Sequence, residues 1–523
     1  MTEVIRIRQG RLAGLRSADG QVNSYRGIPF ARPPLGPLRW RAPQAPAPWD
    51  GVRRAHAPGP IPIQPKRAEN ALTFLGHEPM SEDCLYLNVW APAAESGAPR
   101  PVMVWLYFGA FLMGSGSAAL FDGEALARSG AIVVTFNFRL GRLGFLAHPE
   151  LSAEAGTSGN YGLLDQIAAL RWVQENISAF GGDPDRVTLF GQSSGSSSVS
   201  LLMASPLAKG LFHRAIAQSG GEFWPPERNK GLPGLSSLRD AEEQGAQLAA
   251  ELGETSIEGL RRRPADDILS VWTTRAPVNW RQGIRNPAFI CSYPVVDGHV
   301  VPARGVFETF AAGEQNDVPL ITGFTANEGA GKIGVADRAQ FLRHAQETYG
   351  DKAAAFLQLF PAATDEAARR ASSVEIGDRL FCWHNWTFAR MHGKSSRHPT
   401  YFYHFPHVPP YPKDRSYAET DGDPATELGA IHGSEIPYVF GNLDKRDWPW
   451  RPEDRRLSAL MSSYWLNFAR TGDPNGSGLP AWPRFRLPEA DTMFFEASPR
   501  VAEAPFRSRL AFWDLYFRGV DLS

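Results

Sequence analysis

Four short apolar runs separated by helix-patterned stretches constrain this chain more than any other feature. Tyr86–Trp90, Val102–Leu106, Ile132–Phe136 and Val187–Phe190 are rich in β-branched and aromatic residues and lack polar alternation. Strands read this way when both of their faces are buried. Between the last two runs, Leu163, Leu164, Ile167, Ala168, Leu170, Trp172 and Val173 recur at helical spacing and predict a helix over Leu163–Ile177. Gly181-Gly182-Asp183-Pro184 then stops it. This alternation predicts an α/β chain with a mostly parallel sheet and helices on both faces. Arg214–Gln218, Leu320–Gly323 and Thr400–Phe405 read as later strands, and Arg455–Thr471 as an amphipathic helix.

The flanking stretches differ. Residues 1–65 hold eleven prolines together with Tyr25, Phe30, Trp40 and Trp49. Proline excludes helix, and tryptophan is seldom spent on disordered linkers, so this segment is expected to be an ordered extended wrap. Residues of about 225–285 and 330–395 are more polar and helical, and read as insertions between strands. At about 150 residues per domain, 523 residues suggest three or four domains. No hinge, repeat or low-complexity tract divides the chain, so one domain over 1–523 is preferred.

Composition excludes whole classes. With 43% hydrophobic and 21% charged residues, the chain is not disordered and is long enough to bury a large core. Lys+Arg of 54 against Asp+Glu of 55 leaves no basic excess for nucleic acid or an anionic membrane. Cys84, Cys291 and Cys382 form no disulfide framework or zinc pattern; reduced thiols are favoured, with a single Cys84–Cys291 bridge left open. The N-terminus lacks a signal-peptide core, and no run approaches the ~20 apolar residues of a membrane span. A cytoplasmic protein is expected, with the triplets at Asn176, Asn385 and Asn475 unglycosylated. No metal motif or cofactor fingerprint is present, and oligomeric state is not readable.

Gly191-Gln192-Ser193-Ser194-Gly195 follows a predicted strand and opens Ser194–Ala204, a stretch that can be helical. That is the strand–turn–helix setting of a nucleophile elbow, in which two glycines allow the close turn and the serine hydroxyl is left exposed. The plainer reading makes Ser193 a helix N-cap in a Gly/Ser-rich turn.

Phe180-Gly-Gly-Asp-Pro184 leading into Phe190–Gly195 resembles the type-B carboxylesterases, the family of the cholinesterases and bacterial p-nitrobenzyl esterases. Arg26–Ala31, Glu82–Asn88, Asn137–Gly141, Gly159–Gln166, Pro294–Gly298 and Asn467–Asn475 agree with the same pattern, so the similarity spans nearly the whole chain. The resemblance implies an α/β-hydrolase fold and a serine carboxylesterase acting on small-molecule esters without a cofactor. It implies Ser193 as nucleophile.

A serine nucleophile needs a histidine to take its proton and a carboxylate to orient that histidine. Among twelve histidines, His432 stands out in Gly429-Ala-Ile-His-Gly433, after a strand and after Ser193 in chain order. This stretch resembles the family's histidine motif. Glu328, in Asn327-Glu328-Gly329 after the Leu320–Gly323 strand, matches the family's acid, where Asp-Glu-Gly is usual. By local sequence Glu435 is its rival, three residues from His432. The resemblance implies that Glu435 and Ser219 stand behind the reacting groups.

Backbone donors must also face the carbonyl oxygen as it turns tetrahedral. The resemblance implies Gly109, Ala110 and Ser194 for that role. Alanine fits at 110 if φ there stays negative. Phe108 replaces the first glycine of the family's usual run, and with Phe111 is expected to shape the substrate pocket. Gln192 replaces a common Glu, which disfavours cationic, choline-like substrates. Two readings compete with the esterase: a catalytically silent binding protein on the same fold, and an amidase or carbamate hydrolase using the same triad.

Overall fold

The computed structural model describes residues 2–518 apart from 73, 75, 77, 95, 225–234, 271–289 and 332–333. Eleven strands make the main sheet: β1 (Leu15–Arg16), β2 (Val22–Pro29), β3 (Tyr86–Pro92), β4 (Arg100–Leu106), β5 (Ile132–Phe136), β6 (Gly182–Gln192), β7 (Arg214–Gln218), β8 (Leu320–Thr325), β9 (Thr400–Phe405), β10 (Asp491–Phe494) and β11 (Arg500–Glu503). Their spatial order is β11-β10-β9-β8-β7-β6-β4-β5-β3-β2-β1. The seven strands from β10 to β5 run parallel, and the strands at both edges are antiparallel.

Every residue of β5 and of β8 is buried, which is why these segments carry no charged residue and read as strands. Each Val, Ile or Phe so buried contributes roughly 1.5–3 kcal/mol. The helices Tyr161–Asn176, Ser194–Ala204, Trp383–Ser395 and Pro452–Thr471 pack on this sheet. One hydrophobic cluster extends from Ile7 to Trp513.

The N-terminal wrap is ordered and holds more strand than its prolines suggest. Ile5–Ile7, Gly10–Ala13 and Val52–Arg54 form a small sheet of their own, and β1 and β2 join the main one. Trp40 is fully buried and donates its indole N–H to the Arg142 carbonyl at 2.9 Å. Arg39 grips Glu82 with two nitrogens and also the carbonyls of Leu260 and Arg263, tying the wrap to the first insertion.

In that insertion the helices Leu238–Glu251, Ile257–Arg262 and Ala265–Ser270 are described. The parts of it at 225–234 and 271–285 lie outside the described residues. A two-residue strand at Ser236–Ser237, paired with Val295–Val296, interrupts what read as helical sequence. The second insertion is helical, with a π turn at Asp378–Cys382. All three cysteines are buried and unbonded, so the Cys84–Cys291 bridge left open by the sequence does not form. No helix among the described residues is long and apolar enough to cross a membrane.

Candidate active site

Strand β6 ends at Gln192 and the next helix begins at Ser194, so the whole reversal falls on Ser193. Its φ of 58° and ψ of −123° are strained for any residue with a Cβ. Glycines make the reversal possible. A Cβ on Gly195 would lie 2.0 Å from the Leu106 carbonyl oxygen, and one on Gly220 would lie 2.5 Å from the Ser193 oxygen. The Ser193 N–H donates to the Gln218 carbonyl at 2.9 Å, pinning the strained residue to β7. Ser193 is half-exposed within a buried run, and its hydroxyl caps nothing. The N-cap reading therefore fails.

Glu328 follows β8 by three residues. Its Oε1 accepts the Thr325 N–H at 2.6 Å, and its Oε2 makes a very short hydrogen bond with His432 Nδ1. Asn327 joins the two loops: its N–H donates to the Ala430 carbonyl, and its side-chain oxygen accepts the Ala430 N–H, both at 3.0 Å. A side chain at Gly429 (φ 57°) would strike that same oxygen, at 2.4 Å. With the Nδ1 proton held by Glu328, His432 Nε2 carries the lone pair, the tautomer that a base needs. The Gln192 amide nitrogen lies 3.2 Å from Nε2 and 3.4 Å from Nδ1. Phe381, on the π turn, packs against the imidazole with centroids 4.1 Å apart. No sequence signal pointed to Phe381, because its placement depends on the π turn.

Glu435 is fully buried and does not bond to His432. Its Oε1 accepts from Gln218 Nε2 at 3.1 Å, and Gln218 in turn accepts the Trp465 indole N–H at 3.2 Å. Burial, and then the Glu328 charge, push its carboxyl up to about 7. An unfolded Glu435 gives up its proton near the ordinary value of 4.5, while the folded one keeps it up to about 7. Stability therefore falls as pH rises across that window. Glu435→Gln has no such proton to lose. It should gain about 3 kcal/mol over the parent near pH 8 and almost nothing near pH 4, in denaturant titrations at each pH. An equal gap at both pH values would refute this ionisation.

The loop after β4 turns on three consecutive left-handed residues: Gly109 (φ 126°), Ala110 (φ 58°) and Phe111 (φ 60°). The condition under which alanine fits at 110, a negative φ, is not met: the turn demands the left-handed region, at a cost of about 1–2 kcal/mol. A Cβ on Gly109 would meet the Met113 carbonyl at 2.0 Å, so only glycine fits there. The N–H groups of Gly109, Ala110 and Ser194 find no acceptor among the described residues. Phe108 escapes the strained region. Its ring packs edge-on to Phe121, with centroids 5.5 Å apart, and lines a pocket with Gln192 and His432. Phe111 is fully buried, edge-on to Phe145 and Tyr293. Ser219 is also left-handed and buried, and its hydroxyl has no partner among the described residues. No cluster of metal-ligating side chains occurs among the described residues.

The sheet order, the reversal after β6 and the loops after β8 and β9 define an α/β hydrolase. Solved structures of p-nitrobenzyl (PNB) esterase superpose on the chain with a TM-score of 0.78 at 31% identity, covering 97% of this chain and 99% of theirs. The chain belongs to the carboxylesterase family, whose pattern matches residues 1–513, and it is a carboxylic ester hydrolase. It is 37% identical over 492 residues to fumonisin B1 esterase of Sphingopyxis macrogoltabida, covering 92% of this chain and 84% of that one. To para-nitrobenzyl esterase of Bacillus subtilis strain 168 it is 34% identical over 524 residues, 96% of each chain. To phenmedipham hydrolase of Pseudarthrobacter oxydans it is 35% identical over 479 residues, 88% of this chain and 89% of that one.

Proposed function

We propose that this esterase works through an acyl-enzyme on Ser193, with His432 as base and Glu328 as the acid that orients it. The observation that carries this reading is the strained, half-exposed Ser193, whose hydroxyl serves no structural purpose. Ser193 Oγ attacks the ester carbonyl carbon while its proton passes to His432 Nε2. The oxygen, now negative, is held by the N–H groups of Gly109, Ala110 and Ser194, which are free to receive it. As the alcohol leaves, His432 returns the proton to it. Water then repeats the sequence on the acyl-enzyme. Glu328 keeps the imidazole in the accepting tautomer and stabilises its charged form.

Gln192, Ser219 and Glu435 support these groups from behind, Glu435 through Gln218. The buried, unbonded cysteines favour a reducing compartment, the cytoplasm. The main sheet, whose strands run from residue 15 to residue 503, favours reading 1–523 as one domain.

A fluorophosphonate probe tests the reading against a silent binding protein. It should label one equivalent of protein, and the adduct should map to Ser193. Labelling elsewhere, or none, would reject the mechanism.

The Phe108 ring bears on substrate range. It occupies space beside His432 and offers an aromatic face. Phe108→Gly is expected to raise kcat/KM for a tertiary acetate relative to a primary one by about tenfold, and to raise KM for benzyl acetate. Unchanged ratios among the three esters would mean that the ring serves packing on Phe121 alone.

A further inference from the structure

The pocket wall next to His432 is formed in part by Phe108, Gln192, Tyr411, Arg446 and Trp448. His432 hands its proton to the departing alcohol, so this wall faces the alcohol part of the ester. Apart from the histidine, Arg446 is the one ionisable cation among the described lining residues, and no carboxylate is among them.

Four other wholly or partly buried arginines of this fold are matched by a carboxylate, while Arg142 is held by the carbonyls of Ile268, Leu269 and Ile290. Arg39 pairs with Glu82, Arg139 with Asp165, Arg390 with Asp514 and Arg509 with Asp378, each at 2.7 Å or less. Arg446 is different. Its Nη2 donates to the Leu72 carbonyl at 3.0 Å, and its guanidinium lies over the Trp448 ring, 4.9 Å from the centroid. No ion pair joins it to a carboxylate among the described residues. Glu419, whose field reaches it, has both oxygens at 3.2 Å from the Leu72 N–H. Burial lowers the Arg446 pKa from its ordinary value. The backbone is anchored as well, since the Trp450 indole N–H donates to the Arg446 carbonyl at 3.0 Å.

A partly buried cation with no carboxylate paired to it among the described residues, lying over an indole and held by one carbonyl, is prepared for a planar anion. Gln192 keeps the same wall free of negative charge. We propose that Arg446 is an anion-binding residue of the alcohol subsite, and that the enzyme prefers esters whose alcohol part carries a carboxylate. This rests on the esterase reading above for the direction in which the alcohol leaves.

The test compares para-acetoxybenzoate with para-acetoxybenzamide, which match in shape and differ in charge. The parent should favour the carboxylate in kcat/KM by about tenfold, and the preference should narrow as salt is raised to about 0.5 M. Arg446→Gln should bring the ratio close to one, and Arg446→Lys should restore part of it. A ratio at or below one in the parent overturns the proposal, as does a ratio that Arg446→Gln leaves unmoved. Should Arg446→Gln not fold, the parent ratio and its salt dependence decide alone. Equilibrium binding of para-hydroxybenzoate and para-hydroxybenzamide gives a readout free of turnover. If neither ester is hydrolysed but the parent binds the carboxylate at least tenfold more tightly, the esterase mechanism fails and the anion subsite stands.

Discussion

Ser193→Ala is expected to lower kcat by about 10⁴–10⁶ while leaving the fold as stable as the parent. The two halves of this expectation have one cause. The Ser193 hydroxyl caps no helix, so removing it breaks no structural bond. Alanine keeps the Cβ, so the strain at φ 58° is neither relieved nor increased. What disappears is the only atom able to form the acyl bond. The free donors at Gly109, Ala110 and Ser194 remain, and they leave a residual rate above that of water. Hydrolysis of p-nitrophenyl acetate and a urea titration, run on the same preparation, check both halves. Activity within about tenfold of the parent would remove Ser193 from the mechanism.

The central sheet is legible in the sequence because its strands are buried on both faces. β5 and β8 consist wholly of buried residues, and a run without polar alternation has little else to be. Strand β2, next to the edge, is not legible. Val22-Asn-Ser-Tyr-Arg-Gly-Ile-Pro29 mixes polar and apolar residues around a register break between Tyr25 and Ile28, and its proline argues against a strand.

The site divides in the same way. Ser193 is legible because a tight reversal demands glycines at fixed spacing. The choice between Glu328 and Glu435 is not local. Glu435 stands three residues from His432 yet bonds to Gln218, while Glu328 reaches the imidazole only through the fold, and the resemblance decides what spacing cannot. Asn327 explains how the acid is delivered, since it ties the Glu328 loop to Ala430. Arg446 and Phe381 had no signal at all. Their positions depend on the turn after Leu443–Lys445 and on a π turn, and no periodicity or motif encodes either.

Glu328→Gln is the change that separates the acid from its rival, and it is expected to cost about 10⁴ in kcat. The Thr325 N–H points at one side of the carboxylate and His432 Nδ1 at the other. A glutamine has one oxygen for these two positions. If the oxygen faces His432, the amide NH₂ confronts the Thr325 N–H, leaving two buried donors unpaired at about 1–3 kcal/mol each. If it faces Thr325, the NH₂ donates to His432 Nδ1 and every bond is satisfied. The second arrangement is therefore favoured, and it drives the imidazole proton onto Nε2. That nitrogen then has no lone pair for the Ser193 proton, so the base is present but held in the wrong tautomer. Proton NMR gives an independent readout: the low-field Nδ1 proton of the parent should vanish in Glu328→Gln and persist in Glu435→Gln. The latter changes only a neighbour of Gln218 and should cost less than about tenfold in kcat. A larger loss in Glu435→Gln than in Glu328→Gln would transfer the orienting role to Glu435, because only the carboxylate that fixes the tautomer has this leverage over proton transfer.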